Sequence, residues 1–311
     1  MFIVSGPELV IAQCTAGIIG SFPSLNARPQ PVLREWLTRI THALAEHDAA
    51  YPEAPAAPYA VNLIVHRSND RLDSDLATIV DFEVPLVITS LGARPEVNDA
   101  IHSYGGLVLH DVIDNGFAHK AVEKGADGLI AVSAGAGGHA GSQSPFALVQ
   151  EIRSWFDGPV LLSGAIANGR SILAAQAMGA DLAYVGSAFI ATDEARAGTG
   201  YKRMIVESTA ADIVYSDLFT GVHGNYLRGS ISAAGMDPDN LPRSGPGAKN
   251  FGTNDAPSDA KAWRDIWGSG QGIGTIDAII PTADLITRLT DEYTQAKTAL
   301  LRFSHQAGAC R

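Results

Sequence analysis

Short apolar, β-branched runs recur along the chain, each followed by a stretch of helical length. The runs are Ile18–Phe22, Ala60–Val65, Leu86–Thr89, Gly106–His110, Gly128–Val132, Pro159–Leu162 and Leu182–Val185. None alternates strictly between apolar and polar, which is how strands buried on both faces of a parallel sheet read. Between them the spacing predicts helices over Glu8–Ala16, Pro31–His47, Glu96–Ser103, Gly116–Lys124, Pro145–Trp155 and Arg170–Met178. Alternation sustained this long predicts a doubly wound sheet or a (β/α)₈ barrel. A barrel needs eight strands, and the visible runs stop one short of that. The opening Met1-Phe2-Ile3-Val4-Ser5-Gly6-Pro7 reads as the loop that would follow a first strand. The expectation is therefore an α/β barrel whose first strand is missing or cut short in this chain.

After Val185 the pattern changes. From Thr192 to about Gly274 it mixes helical runs with turn-rich pieces such as Met236–Asn240 and Ser244–Gly247. A connection that long predicts structure of its own. The expected organisation is a barrel over 1–191 and 273–311, with a small, mainly helical subdomain over 192–272. Thr282–Phe303 is expected as one more helix, closing the barrel.

Composition narrows the function classes. Hydrophobic residues make up 46% of the 311 and charged residues 18%, enough apolar material for a sizeable core and too much for a disordered chain. The net charge of −11 argues against nucleic acid or an anionic membrane as partner. Cys14 and Cys310 are the only cysteines, too few for a disulfide framework or a cysteine metal site. No apolar run reaches the roughly eighteen residues of a membrane span, and no basic flank precedes one at the start. The expectation is a reducing, cytoplasmic, soluble protein acting on a small molecule, with no metal and an open oligomeric state.

Three glycine-rich strand ends carry the candidate chemistry. Ser163-Gly164-Ala165 runs from the strand at Pro159–Leu162 towards a helix start at Gly169-Arg170, and Val185-Gly186-Ser187 repeats the arrangement one strand later. Small residues let backbone approach a ligand, and a helix N-terminus offers unpaired N–H groups to an anion. If one strand is missing at the front, these are strands seven and eight, whose loops build the phosphate site in many barrels. The third cluster, Ser133-Ala134-Gly135-Ala136-Gly137-Gly138-His139-Ala140-Gly141, sets one histidine among glycines where barrel chemistry is found. Imidazole there could accept a proton, donate to a developing anion, or bind ligand. His66 and His110 end strands and are candidates for the same mouth. No Gly-x-Ser-x-Gly elbow and no early Gly-x-Gly-x-x-Gly appear, against serine hydrolase and Rossmann readings.

At these residues the sequence resembles the nitronate monooxygenase family, formerly 2-nitropropane dioxygenases, with the related FMN-dependent enoyl-carrier-protein reductases and NADH:quinone reductases. Gly135–Gly141 resembles the family's histidine motif, with glycine where a glutamate usually stands. Ser163–Arg170 resembles its serine-glycine-glycine stretch, with Ala165 replacing the second glycine. Gly179-Ala180-Asp181 to Phe189 and Trp267–Gly272 resemble two further segments. The resemblance implies an FMN-binding TIM barrel with a smaller helical domain over its mouth. It implies that Ser163, Gly164, Ala165, Gly186 and Ser187 hold the phosphate and that Val185 is a further cofactor-binding residue. Asn62, Ser90, Gly92 and Gly138 would lie near the flavin, Met1 and Phe2 by its rings, and Gln271 would approach from the second domain. His139 would face the flavin and act on the nitro substrate. The implied reaction is oxidation of nitronates or nitroalkanes by O2 to a carbonyl compound and nitrite. Rival readings are an NAD(P)H-dependent reductase acting on a quinone or enoyl thioester, and a non-catalytic flavin-binding or phosphate-binding barrel. Asp111 stands where family members commonly carry a lysine, which bears on the ring's reactivity.

Overall fold

The protein is described by a computed structural model over residues 1–243 and 264–308. In chain order the strands are β1 (Gly20–Pro23), β2 (Tyr59–Ile64), β3 (Leu86–Ser90), β4 (Leu107–Val112), β5 (Gly128–Val132), β6 (Gly138–His139), β7 (Val160–Ser163), β8 (Leu182–Ala183), β9 (Ile213–Ser216) and β10 (Gly224–Leu227). β1-β2-β3-β4-β5-β7-β8 form one seven-stranded sheet, curled as in a TIM barrel and parallel throughout, with helices between its strands. Every predicted strand run is in it.

The pleat explains why those runs read as continuously apolar. Ala60, Ile88, Leu109, Ile130 and Leu161 pack together inside the barrel. Their chain neighbours Val61, Val87, Val108, Leu129 and Val160 point outward and pack beneath the helices. Both faces are buried, so both are mostly apolar, with Thr89 and His110 admitted on the outward face as a hydrogen-bonded pair. Two residues further along, the inward face turns polar on four of these five strands, at Asn62, Ser90, Asp111 and Ser163, which line a cavity at the strands' C-terminal ends with Val132 of β5.

β1 and β8 are the two ends of the sheet order, and no strand lies between them among the described residues. Residues 1–6 occupy the gap as a turn. Ser5 N–H donates to Met1 O at 3.0 Å, and Arg196 N–H donates to Val4 O at 3.0 Å. Asn26 clamps the turn from beyond β1: its Nδ2 donates to Met1 O and Ser5 O, and its Oδ1 accepts from Ile3 N–H at 2.7 Å. Val4 is buried against Phe189, Ile190 and Leu285. The expected missing strand is thus replaced by a side-chain-clamped turn.

The helix Thr282–Gly308 packs on the helix Gly169–Ala177. Gly169 makes that approach possible: an added Cβ would run into the backbone of Tyr293 and Leu289. Its N–H donates to Glu292 Oε2 at 2.8 Å. The helix Leu72–Asp81, between β2 and β3, was not among those the spacing predicts.

Beyond β8 the chain forms the helices Thr199–Glu207 and Arg228–Ala233 and the strands β9 and β10. β6, β10 and β9 make a separate antiparallel sheet, so the region after Thr192 carries strands as well as the expected helices. The piece Ser244–Gly247 and Cys310 lie outside the described residues. No helix among the described residues is long and apolar enough to cross a membrane.

Candidate active site

The cavity at the C-terminal ends of the barrel strands has a volume of about 300 Å³. Met1, Phe2, Asn62, Ser90, Gly138 and His139 line it. So do Ser163, Gly164, Ala165, Val185, Gly186 and Ser187. The other two sequence candidates stand off the wall. Gly92 follows Leu91, which does line the cavity. Gln271 lies behind the glycine-rich loop, its N–H donating to Gly135 O at 2.9 Å.

One end of the cavity is built from backbone. Gly164 has φ +146, and an added Cβ would strike Ser133 Oγ. Ala165 follows at φ 53, a left-handed conformation that costs an alanine about 1 kcal/mol. Among the described residues the N–H groups of Gly164 and Gly186 have no acceptor within the protein. Ser187 opens the short helix Ser187–Ile190, whose first N–H groups have no intrahelical acceptor. A Cβ on Gly186 would meet nothing nearer than the Met1 side chain at 3.8 Å. This donor set can hold a phosphate ester without any cation.

The floor is polar and interlocked. Asn62 Nδ2 donates to Ser90 Oγ at 2.6 Å. The Ser90 hydroxyl and the Leu91 N–H both donate to the Asp111 carboxylate. Leu91 adopts φ 63, an uncommon conformation for a branched side chain and one the turn to Gly92 at φ +137 requires. Burial outweighs the two donors and pushes Asp111 up to about 6. Across the barrel, Tyr184 OH and Ser21 Oγ lie 3.4 Å apart and bridge β8 to β1 where the sheet is open. Burial, with the nearby Asp111, raises the Tyr184 phenol above its ordinary range.

The opposite wall is His139 on β6. The glycines around it are there for close approach between backbones. Added Cβ atoms on Gly137 and Gly270 would meet each other's chain segments, at 2.7 Å from Gly270 N and 2.6 Å from Gly135 O. Asn225 on β10 ties the loop down, its Nδ2 donating to Ala136 O at 2.6 Å. His139 is thereby fixed between β10 and the cavity, with Nε2 at 3.0 Å from the buried Thr220 Oγ1. Burial lowers its pKa to about 4, so the ring is neutral at neutral pH.

The other two strand-end histidines are not at the mouth. His110 points outward, buried, with Nδ1 2.6 Å from Thr89 Oγ1. His66 pairs with Ser68 Oγ at 2.8 Å on the exposed side. Sequence reasoning missed Tyr184, Ser21, Gln13 and Thr220. Tyr184 and Ser21 were findable, since they share the inward parity of their strands. Thr220 gave no local signal.

The nitronate monooxygenase family matches residues 37–292. A nitronate monooxygenase from Paraburkholderia phytofirmans is 27% identical, covering 97% of this chain and 93% of its own length. Among solved structures, the nitroalkane oxidase of Streptomyces ansochromogenes superposes with a TM-score of 0.77 at 24% identity, over 96% of this chain and 94% of that one. FabK from Thermotoga maritima superposes with a TM-score of 0.76 at 24% identity, over 97% and 93%. Both share the barrel.

Proposed function

The chain belongs to the nitronate monooxygenase family, and on that premise we propose that it is a flavin-dependent oxidoreductase that oxidises nitronates and nitroalkanes with O2, yielding a carbonyl compound and nitrite. The residues present fit a flavin mononucleotide. Gly164, Gly186, Ser187 and the Ser163 hydroxyl form a cation-free cradle for its phosphate. The polar floor of Asn62, Ser90 and Asp111 suits the edge of a ring bearing both donors and acceptors. Gln13 Oε1, buried at the cavity wall without a partner among the described residues, can accept one further hydrogen bond.

The observation that carries the reading is His139: a neutral imidazole on the cavity wall opposite that floor, held by a buried hydroxyl. When bound, the flavin supplies an electron acceptor. His139 orients the nitro group and takes the α-proton of a neutral nitroalkane, while a free nitronate arrives already deprotonated.

The test is the absorbance spectrum of the purified protein after reconstitution with FMN, followed by anaerobic titration. Bleaching by a nitronate, with nitrite released once air is admitted, supports the oxygenase. Rapid bleaching by NADH or NADPH, and none by a nitronate, replaces it with a reductase acting on a quinone or enoyl thioester. A protein that stays colourless is a barrel without flavin chemistry.

A further inference from the structure

Among the described residues Asp111 is the one acid on the cavity wall, and its place in the polar floor leaves its protonation unassigned. The parity of β4 turns its side chain into the barrel, two residues beyond the fully apolar layer of Leu109. No lysine or arginine lines the cavity among the described residues. Its carboxylate is held by dipoles alone, the Ser90 hydroxyl and the Leu91 N–H. Its remaining exposure is to the cavity it lines. A ligand that fills the cavity removes the water that helps hold the charge and brings no protein cation in exchange.

We propose that Asp111 is a proton-uptake group: occupation of the cavity by an uncharged aromatic heterocycle, such as a flavin ring, drives a proton onto its carboxyl, so that ligand binding and proton binding are linked. This rests on the flavin reading above. The neutral acid then presents an O–H donor on the floor where an anion stood. The same linkage discriminates among ligands, since any group carrying negative charge over the floor is disfavoured until Asp111 is protonated.

The titratable groups that face Asp111 leave a clear window. Tyr184, just beyond β8, is pushed up, away from neutrality. Across the cavity, burial lowers His139 to about 4 and the Met1 amine to about 5. Asp111, at about 6, is the one of these four groups whose titration falls nearest neutrality.

Riboflavin is the probe, because it lacks the phosphate whose own ionisation falls in this range. Its affinity for the full chain is read by fluorescence quenching from pH 5.5 to 8.5, for wild type and Asp111→Asn. The expected wild-type result is a dissociation constant that rises above pH 6 with a slope approaching about tenfold per pH unit, the limit for one linked proton. Asp111→Asn is expected to flatten the profile and to bind more tightly than wild type at pH 8. Calorimetry of wild type alone, in two buffers of different ionisation heat at pH 7, is expected to show proton uptake on binding and does not depend on the variant folding. A flat wild-type profile, zero uptake, or a slope that survives in Asp111→Asn overturns the proposal and leaves the flavin reading standing. Absence of riboflavin binding at every pH, including 5.5, overturns the proposal, and absence of FMN binding as well overturns the flavin reading with it.

Discussion

Thr220 Oγ1 lies 3.0 Å from His139 Nε2 and 3.0 Å from Val222 O, and together these distances assign the imidazole proton. The hydroxyl has one hydrogen, and the carbonyl can only accept it. Thr220 therefore donates to Val222, and His139 donates to Thr220 through Nε2–H. The neutral ring then carries its lone pair on Nδ1, the nitrogen that would act in the base role proposed for His139.

Replacing His139 by alanine is expected to lower kcat/KM for a neutral nitroalkane by about a hundredfold or more, the usual weight of a positioned base. Turnover of the corresponding preformed nitronate should fall only severalfold. Steady-state kinetics with both substrates check this; equal losses would remove the base assignment.

Thr220→Val keeps the shape of the side chain and deletes the atom that pins the tautomer. Nitroalkane turnover is expected to fall about tenfold, in keeping with the loss of one buried hydrogen bond. Thr220→Ser should restore it. Nitrogen NMR of the labelled histidine reads the tautomer directly, and an unchanged tautomer in Thr220→Val would contradict the assignment.

The two residues at the glycine-rich end of the cavity, the proposed phosphate cradle, should respond in opposite directions. Ala165 sits at φ 53, so Ala165→Gly is expected to stabilise the fold by about 1 kcal/mol, measured by chemical denaturation. Gly164→Ala adds a methyl at φ +146 against Ser133 Oγ and should destabilise the fold and abolish FMN binding. Retained FMN affinity in Gly164→Ala would place the phosphate elsewhere.

Acid should destabilise the protein, and Asp111 should oppose the effect. Burial lowers His110 and His139 to about 4 from the usual 6.5. The unfolded chain therefore takes up protons that the folded one refuses, and stability falls as pH drops through that window. Each histidine contributes at most about 1.4 kcal/mol per pH unit. Asp111 has the opposite sign: raised from 3.8 to about 6, its contribution is full below 3.8 and lost as pH rises through 6. Denaturant midpoints should fall from pH 6.5 to 4.5, and more steeply in Asp111→Asn. A shallower fall in the variant would contradict the sign.

Much of this was legible in the residues. Strands buried on both faces are mostly apolar, so the parallel barrel, and the seven strands it has among the described residues, could be counted from the runs alone. Gly164, Gly186 and His139 could be found because each lies within a few residues of a strand end, where a barrel puts its chemistry. The turn that fills the sheet gap was not legible, because Asn26 holds it from more than twenty residues away. Nor was β6, whose two residues pair only because Gly224 and Asn225 come to meet them.

By itself, then, the amino-acid order determined what depends on neighbours in the chain: strand periodicity, the small residues where backbone must face a ligand, and one imidazole among glycines. The tertiary structure alone decided which nitrogen of that imidazole holds the proton, and that Asp111 lines the cavity with no lysine or arginine on its wall among the described residues. Protonation follows from solvent access and from the partners within a few ångströms. Thr220 comes to His139 from 81 residues along the chain, a distance over which no local pattern carries information.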